Sequence, residues 1–196
     1  MDGPPCCCAA PRVACNDRRI LLKLAGATLA AHAGLPAAAA DDAQAADTPR
    51  AGDWLLPADT EGATPLGADV LSFGAGPLIV VAFDPLRRRV RSGAGRDRIL
   101  LIRLDPAAMD EATRARAAGG VLAYSAVCTH GACFVRDWRP REQRLHCPCH
   151  FSQYDPLRSA AVTAGPAPRA LPNLALREED GRLVLGSGFS AAPGHG

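Results

Sequence analysis

Short apolar runs separated by turn-forming residues dominate the sequence from about residue 70 onward. Most of these runs are bounded by Gly, Pro or Asp, which is typical of β-strands joined by tight turns. The tripeptide Glu179-Asp180-Gly181, between the last two runs, is a hairpin turn signal. The runs predicted as strands are Leu78–Phe83, Ile99–Leu104, Val121–Val127, Leu174–Arg177 and Leu183–Leu185. The pattern therefore predicts an all-β fold.

One segment has helical character instead. Asp105 is suited to cap a helix, and Pro106 is suited to its first position. The following residues, Ala107–Ala118, are good helix formers and end at a pair of glycines. We therefore expect a small antiparallel β domain with one short helical insertion.

The N-terminal region has the features of an export signal. Arg18 and Arg19 precede a weakly apolar run, Ile20–Leu35, and the small residues Ala38–Ala40 follow it. These features together resemble a twin-arginine (Tat) signal, which implies export in the folded state to the periplasm. The apolar run is shorter than the roughly 20 residues of a membrane-spanning helix, which favours cleavage near residue 40 over an uncleaved anchor. A cytosolic amphipathic helix is the alternative.

The remaining chain divides by composition. Residues 41–69 are rich in Ala, Asp, Gly, Pro and Thr, which predicts a linker or loosely held arm. Residues 70–190 form the expected domain, after a signal at 1–40, and residues 191–196 are expected to be a disordered tail.

Composition and charge narrow the function classes. The chain has 196 residues, of which 48% are hydrophobic and 21% charged, so it is neither disordered nor a polytopic membrane protein. Its formal net charge of +2 gives no electrostatic case for nucleic acid as a partner. Eight cysteines are a high count, and four of them lie in two short blocks near histidines.

The two blocks indicate a metal site. The first reads Cys128-Thr129-His130-Gly131-Ala132-Cys133 and the second reads Cys147-Pro148-Cys149-His150. Thiolate and imidazole are preferred ligands of soft and borderline metals. Zinc would bind four such ligands in a tetrahedron, commonly with other spacings. One Cys-and-His pair from each block fits a [2Fe–2S] cluster better, with two cysteines on one iron and two histidines on the other.

With these motifs, the chain resembles the Rieske iron–sulfur proteins, strongly over about residues 121–170. The resemblance implies a Rieske-type β domain with a cluster-binding subdomain and one [2Fe–2S] cluster. It assigns Cys128 and Cys147 to the buried iron and His130 and His150 to the outer iron. Cys133 and Cys149 match the disulfide that ties the two cluster loops together in the family.

Further residues resemble the quinol-oxidising branch of the family. In that branch a serine and a tyrosine at the positions of Ser152 and Tyr154 donate hydrogen bonds to the cluster sulfurs and raise its potential. The segment Gly165-Pro166-Ala167-Pro168 resembles the proline loop that covers the cluster. Phe151 stands where the family usually has glycine, and His146 falls outside the ligand pattern, so we interpret it as a strand residue.

The resemblance implies an exported one-electron carrier, an electron-transfer subunit rather than a stand-alone enzyme. The leading hypothesis is the iron–sulfur subunit of a quinol–cytochrome c reductase, with a cytochrome b subunit and cytochrome c as partners. His150 is then the residue that contacts quinol. The alternatives are the small subunit of a periplasmic molybdenum oxidase such as arsenite oxidase, beside a molybdopterin subunit, and a zinc-stabilised binding module. An aromatic-ring oxygenase is excluded, because no residues remain for its mononuclear iron domain.

Overall fold

The computed structural model describes residues 47–59, 62–91 and 95–195. The twin-arginine segment and the first four cysteines lie outside the described residues, as does the start of the expected linker. Among the residues that are described, no helix is both long and apolar enough to span a bilayer.

Two antiparallel sheets account for the strands of the described residues, which confirms the predicted all-β fold. The larger sheet has the order β10-β5-β4-β2-β1-β12-β11, with β3 paired to β2, and the smaller has the order β6-β7-β8-β9. The strands are β1 Trp54–Pro57, β2 Leu78–Asp84, β3 Arg89–Val90, β4 Ile99–Arg103, β5 Val121–Ser125, β6 Asp137–Arg139, β7 Arg144–His146, β8 Gln153–Asp155, β9 Ala161–Ala164, β10 Asn173–Leu174, β11 Leu176–Glu179 and β12 Arg182–Leu185.

The predicted helical insertion is present but broken. Asp105 caps a 3₁₀ turn at Pro106–Ala108 by accepting a hydrogen bond from the Ala107 amide, as expected. The only α-helix of the described residues, α1, is Glu111–Arg114, and Asp110 caps it through the Thr113 amide. The prediction of a single helix over residues 107–118 was therefore wrong, because the first turn ends and Asp110 caps a separate helix. Other 3₁₀ turns lie at Ala68–Val70 and Pro156–Arg158.

The segment expected to be a linker contributes a strand to the larger sheet. β1 pairs with β2 on one side and with β12 on the other, and its Leu55 is fully buried. Asp53, just before β1, accepts a hydrogen bond from the buried guanidinium of Arg91 at 2.6 Å, and the same guanidinium reaches Asp84 at 2.9 Å. Residues 53–57 are thus part of the folded domain, and the expected boundary at residue 70 is too late.

The other differences concern chain connections. The run Leu174–Arg177 is divided between β10 and β11, which lie at opposite ends of the strand order of the larger sheet. The predicted hairpin is confirmed: β11 and β12 pair up to Glu179 and Arg182, and the two turn residues have φ of 50° and 73°. Residues 190–195 pack against the domain, in contrast to the disorder expected for 191–196.

A shared core joins the two sheets and supports the loops between their strands. Leu100 and Leu122 of the larger sheet pack in one buried cluster with Leu145 and Tyr154 of the smaller. Tyr124 of β5 also crosses this core and donates a hydrogen bond to the Pro156 carbonyl at 2.6 Å. The loop after β5 and the loop between β7 and β8 are therefore both supported by this shared core.

Candidate metal centre

The two cysteine–histidine blocks form loops with the same backbone pattern. In the first loop, Cys128–Cys133, the amide of the first residue donates to the carbonyl of the last at 2.8 Å; in the second loop, Cys147–Ser152, the same bond is 2.9 Å. In each loop the fifth residue also donates to the carbonyl of the first, at 3.1 and 3.0 Å. The fifth residues, Ala132 and Phe151, both have left-handed backbones, with φ of 58° and 61°. The sequence motif therefore corresponds to two equivalent turns.

Each loop begins with a buried thiol. Cys128 and Cys147 are both 1% exposed and are not part of a disulfide. Burial raises the pKa of the Cys128 thiol, but hydrogen bonds from Tyr154 and from backbone amides of the first loop outweigh burial and lower it. Burial, together with the adjacent Cys128, raises the pKa of Cys147. The two thiols interact through a side-chain hydrogen bond, as expected for two ligands of one centre.

The two histidines of the blocks lie together as well. The rings of His130 and His150 meet edge to face, with centroids 4.7 Å apart. The Nδ1 atom of His130 is buried and has no hydrogen-bond partner among the described residues. A buried ring nitrogen without a partner is costly unless it binds something, and histidine is a frequent metal ligand. The Nδ1 atom of His146 is also buried without a hydrogen bond to any described residue, but it lies 3.7 Å from a carboxylate oxygen of Asp137. His150, the fourth residue of the second loop, is exposed.

The remaining cysteines of the blocks form the expected disulfide. Cys133 and Cys149 are bonded, with their Cα atoms 6.5 Å apart, and the bond ties the first loop to the second. The sulfur of Cys147 lies within 4.8 Å of both disulfide sulfurs. Since disulfide sulfurs are poor metal ligands, Cys147 supplies the one sulfur of that trio that could hold a metal.

Tyr154 contacts the first thiol, as the resemblance predicts. Its hydroxyl is 3.2 Å from the Cys128 sulfur and 3.4 Å from the Thr129 amide, which donates to it. Burial is the main cause that raises the pKa of Tyr154, so the phenol stays protonated and can donate to a thiolate. The Thr129 hydroxyl is 3.3 Å from the same phenol and donates to the Arg169 carbonyl at 2.7 Å. The roles of Thr129 and Arg169 could not be predicted from the sequence, because these contacts join distant segments.

The segment Gly165–Pro168 lies against the second loop, and we call it the cover loop. The Ala167 amide donates to the hydroxyl of the buried Ser152 at 3.2 Å. A Cβ atom on Gly165 would lie 2.5 Å from the Ser152 Cα, and Gly165 has φ of 85°, so only glycine fits there. Because the Ser152 oxygen accepts from the cover loop, its own proton remains available for another acceptor.

Phe151 gives the second loop an unusual surface. Its side chain is 65% exposed although its backbone is left-handed, a conformation that costs a non-glycine residue about 1–2 kcal/mol. The ring packs at 5.7 Å from the ring of His146, whose Nδ1 atom is 3.7 Å from a carboxylate oxygen of Asp137. His146 lies on β7, as predicted, with Phe151 and Asp137 beside its ring.

The donor set fits a binuclear iron–sulfur cluster. Two thiols are buried side by side, and two imidazoles lie together, one of them at the surface. This division matches a cluster with cysteine ligands on one iron and histidine ligands on the other. The phenol of Tyr154 lies 3.2 Å from the Cys128 sulfur, and the Ser152 hydroxyl, which accepts from the Ala167 amide, still has its own proton to donate.

Comparisons with known proteins agree with this site. The family model described as the Rieske [2Fe-2S] domain matches residues 93–175. The Rieske iron-sulfur subunit of the cytochrome bc1 complex of Corynebacterium glutamicum is 32% identical over 146 residues, which cover 69% of this chain and 34% of that subunit. A Rieske subunit named for the respiratory nitrate reductase of Haloferax mediterranei is 37% identical over 108 residues, 54% of this chain and 48% of that subunit.

This chain therefore spans about half or less of the length of these two relatives. Among solved structures, the ferredoxin of carbazole 1,9a-dioxygenase from Nocardioides aromaticivorans is similar with a TM-score of 0.42 and 18% identity, covering 62% of this chain and 93% of that chain. The segment matched by the family model includes both cysteine–histidine loops and the cover loop. The chain is thus a Rieske iron–sulfur protein, a member of a family that binds a [2Fe–2S] cluster.

Proposed function

We propose that the chain is an exported one-electron carrier in which Cys128 and Cys147 hold one iron and His130 and His150 hold the other. The observation that carries this assignment is the pair of interacting buried thiols, together with a buried His130 nitrogen that has no hydrogen-bond partner in the described part of the chain. When bound, a [2Fe–2S] cluster accepts and donates one electron at a time. The protein's own residues bind it, shield it and set its potential.

We propose His150 as the residue that contacts the electron donor. His150 is an exposed residue of the second loop, whereas the Nδ1 atom of His130 is buried. Phe151, next to His150, and Phe134, next to Cys133 of the first loop, carry exposed apolar side chains, at 65% and 42% exposure. With quinol as donor, the His150 nitrogen that does not bind iron would accept the hydrogen bond and the proton of the quinol hydroxyl.

The relatives support two kinds of partner. The cytochrome bc1 subunits among them support a quinol–cytochrome c reductase, with a cytochrome b subunit and cytochrome c. The relative named for a nitrate reductase supports a different oxidoreductase complex. Purification of the complex from its source separates these proposals: co-purifying b-type haem favours the first, and a molybdopterin subunit favours the second.

The cofactor assignment has a direct test. We expect the full-length protein, purified under air, to contain two irons and two acid-labile sulfides per chain. After reduction with dithionite it should give the low-average-g EPR signal of a histidine-ligated cluster. One zinc per chain without iron would overturn the carrier and leave the zinc-stabilised binding module.

The Tyr154→Phe variant should have a lower reduction potential. The change removes the hydroxyl that lies 3.2 Å from the Cys128 sulfur and retains the ring. A hydrogen bond to a ligand sulfur favours the electron-rich reduced state, and a difference of about 1–1.5 kcal/mol between oxidation states corresponds to a drop of about 40–65 mV. Voltammetry measures the drop.

Tyr124→Phe is the matched control for that measurement. Tyr124 is equally buried in the same core, but its hydroxyl donates to the Pro156 carbonyl and not to sulfur. The control should lose stability and keep the wild-type potential. Equal potentials in wild type and in Tyr154→Phe would show that Tyr154 does not tune the cluster.

We also propose that the protein is exported to the periplasm through the Tat route. The support is the Arg18-Arg19 pair before a weakly apolar run, together with the disulfide, which suits an oxidising compartment. Replacement of both arginines by lysine should leave the precursor in the cytoplasm. Unchanged export of that variant would contradict the proposed route.

A further inference from the structure

Residues 190–195, which we call the strap, lie across the first loop. A Cβ atom on Gly194 would be 3.3 Å from a methyl group of Val127 and 3.8 Å from the Cβ of Ala132. Gly194 is buried and has φ of 79°, so the close approach requires glycine. At the start of the strap, Ser190 exchanges hydrogen bonds of 2.9 and 3.0 Å with Asn173 of β10.

Arg169 anchors the strap. Its Nη2 atom donates to the carbonyls of Ala192 and Gly194 at 2.7 and 2.8 Å. Arg169 follows directly after the cover loop, and its own carbonyl accepts the hydrogen bond from Thr129. One residue therefore contacts the strap through its side chain and the first loop through its backbone.

These contacts complete a ring of connections around the centre. The disulfide joins the first loop to the second, and the bond from Ala167 to Ser152 joins the second loop to the cover loop. The bond from Thr129 to Arg169 joins the first loop to the residue that directly follows the cover loop. The strap strengthens this last connection, because it packs on the first loop and is held by the residue that follows the cover loop.

We propose that Arg169 is a positioning residue that, with the strap, keeps Thr129 in place and so maintains the contact between Tyr154 and Cys128. The inference rests on the proposed role of Cys128 as a cluster ligand. The Thr129 amide donates to the phenol oxygen of Tyr154, which holds the hydroxyl in the orientation that points its proton at Cys128. Displacement of Thr129 removes this bond and lets the phenol turn away from the sulfur. Loosening the strap then weakens the hydrogen bond to the ligand sulfur.

The test is the Arg169→Met variant, which keeps the length of the side chain and removes its donors. We expect the ratio of reduced to oxidised protein at a fixed potential to fall about threefold, equivalent to about 28 mV at 59 mV per tenfold change. Amide hydrogen exchange of residues 127–134 should become faster. Arg177→Met is the matched control, since Arg177 is exposed and pairs with Glu179 on β11.

A double-mutant cycle separates positioning from general structural damage. In the Tyr154→Phe background, Arg169→Met should leave the potential unchanged, because its effect passes through the phenol. Arg169→Lys retains a donor and should restore part of the wild-type potential. Equal potential drops in both backgrounds, or wild-type exchange of the first loop, would overturn the proposal. Wild-type protein without iron would contradict the proposed cluster ligands and would leave the exchange experiment as the test of the strap.

A second variant changes the strap itself. Gly194→Ala adds a methyl group 3.3 Å from Val127 and should lower the potential and speed exchange as Arg169→Met does. Gly181→Ala is its control: Gly181 has φ of 73°, but a methyl group there meets no other described residue within 4 Å. If the two alanine variants have the same potential and the same exchange in the first loop, the strap does not position that loop.

Discussion

The Cys147→Ser and His150→Gln variants should each purify without a cluster, whereas His146→Gln should retain it. Loss of a residue that only supports a ligand costs about 10–100-fold in metal affinity, so loss of a ligand itself should cost more than about 100-fold. His146 is adjacent to Cys147 in sequence and is the most instructive control. Its ring packs against Phe151 and lies near Asp137 on β6. Iron and sulfide content measures the result.

The contrast between the two histidines is the decisive part of this experiment. If His146→Gln lost the cluster while His150→Gln kept it, the ligand assignment of the second loop would be wrong. Circular dichroism of the three variants provides the folding control, which is needed because Cys147 belongs to the shared core and His146 is buried. A Cys147→Ser protein that keeps two irons would show that another atom supplies the fourth ligand.

The second large effect concerns the disulfide. Removing it through Cys133→Ala plus Cys149→Ala should lower the free energy of unfolding by about 2–4 kcal/mol, since the bond closes a loop of 16 residues. The two cluster loops then lose their covalent connection, so the cluster should be released faster to a chelator. Denaturant unfolding and the decay of visible absorbance measure the two effects.

Double replacement is preferable to either single variant, because it leaves no unpaired cysteine next to Cys147. Wild-type protein treated with a mild reductant should approach the stability of the double variant, which links the loss to the bond and not to the alanines. Equal stability and equal cluster lifetime in wild type and double variant would show that the other ties between the loops suffice.

The chemistry of the site could be predicted from the sequence because its donors lie in two short contiguous motifs. Each motif folds locally into one of two equivalent turns, so its Cys and His remain close together. The disulfide was implied by the resemblance to the Rieske family. The contact of Tyr154 with Cys128 was expected for the same reason. The hairpin at Asp180 was predictable because two left-handed turn residues are a strictly local requirement.

Features that depend on distant partners were not predictable. Trp54–Pro57 is a short strand in a segment rich in turn-forming residues, and only its pairing with β2 and β12 makes it regular. The strap lacks regular structure, so its order comes from Arg169 and from close packing on the first loop.

The predicted helix failed because Asp110, a local cap, overrode the helix-forming composition of the residues around it.

β1 also determines the smallest part of this chain that can fold. The segment matched by the family model, residues 93–175, excludes β1, β2, β3 and the whole β11–β12 hairpin. A fragment limited to that segment would leave β4 as a bare sheet edge with the apolar side chains of Ile99 and Leu101 uncovered. Unpaired apolar edges recruit other chains, so we expect such a fragment to aggregate while still containing all four cluster ligands. The autonomous folding unit therefore extends well outside the metal-binding motif, beginning no later than Asp53.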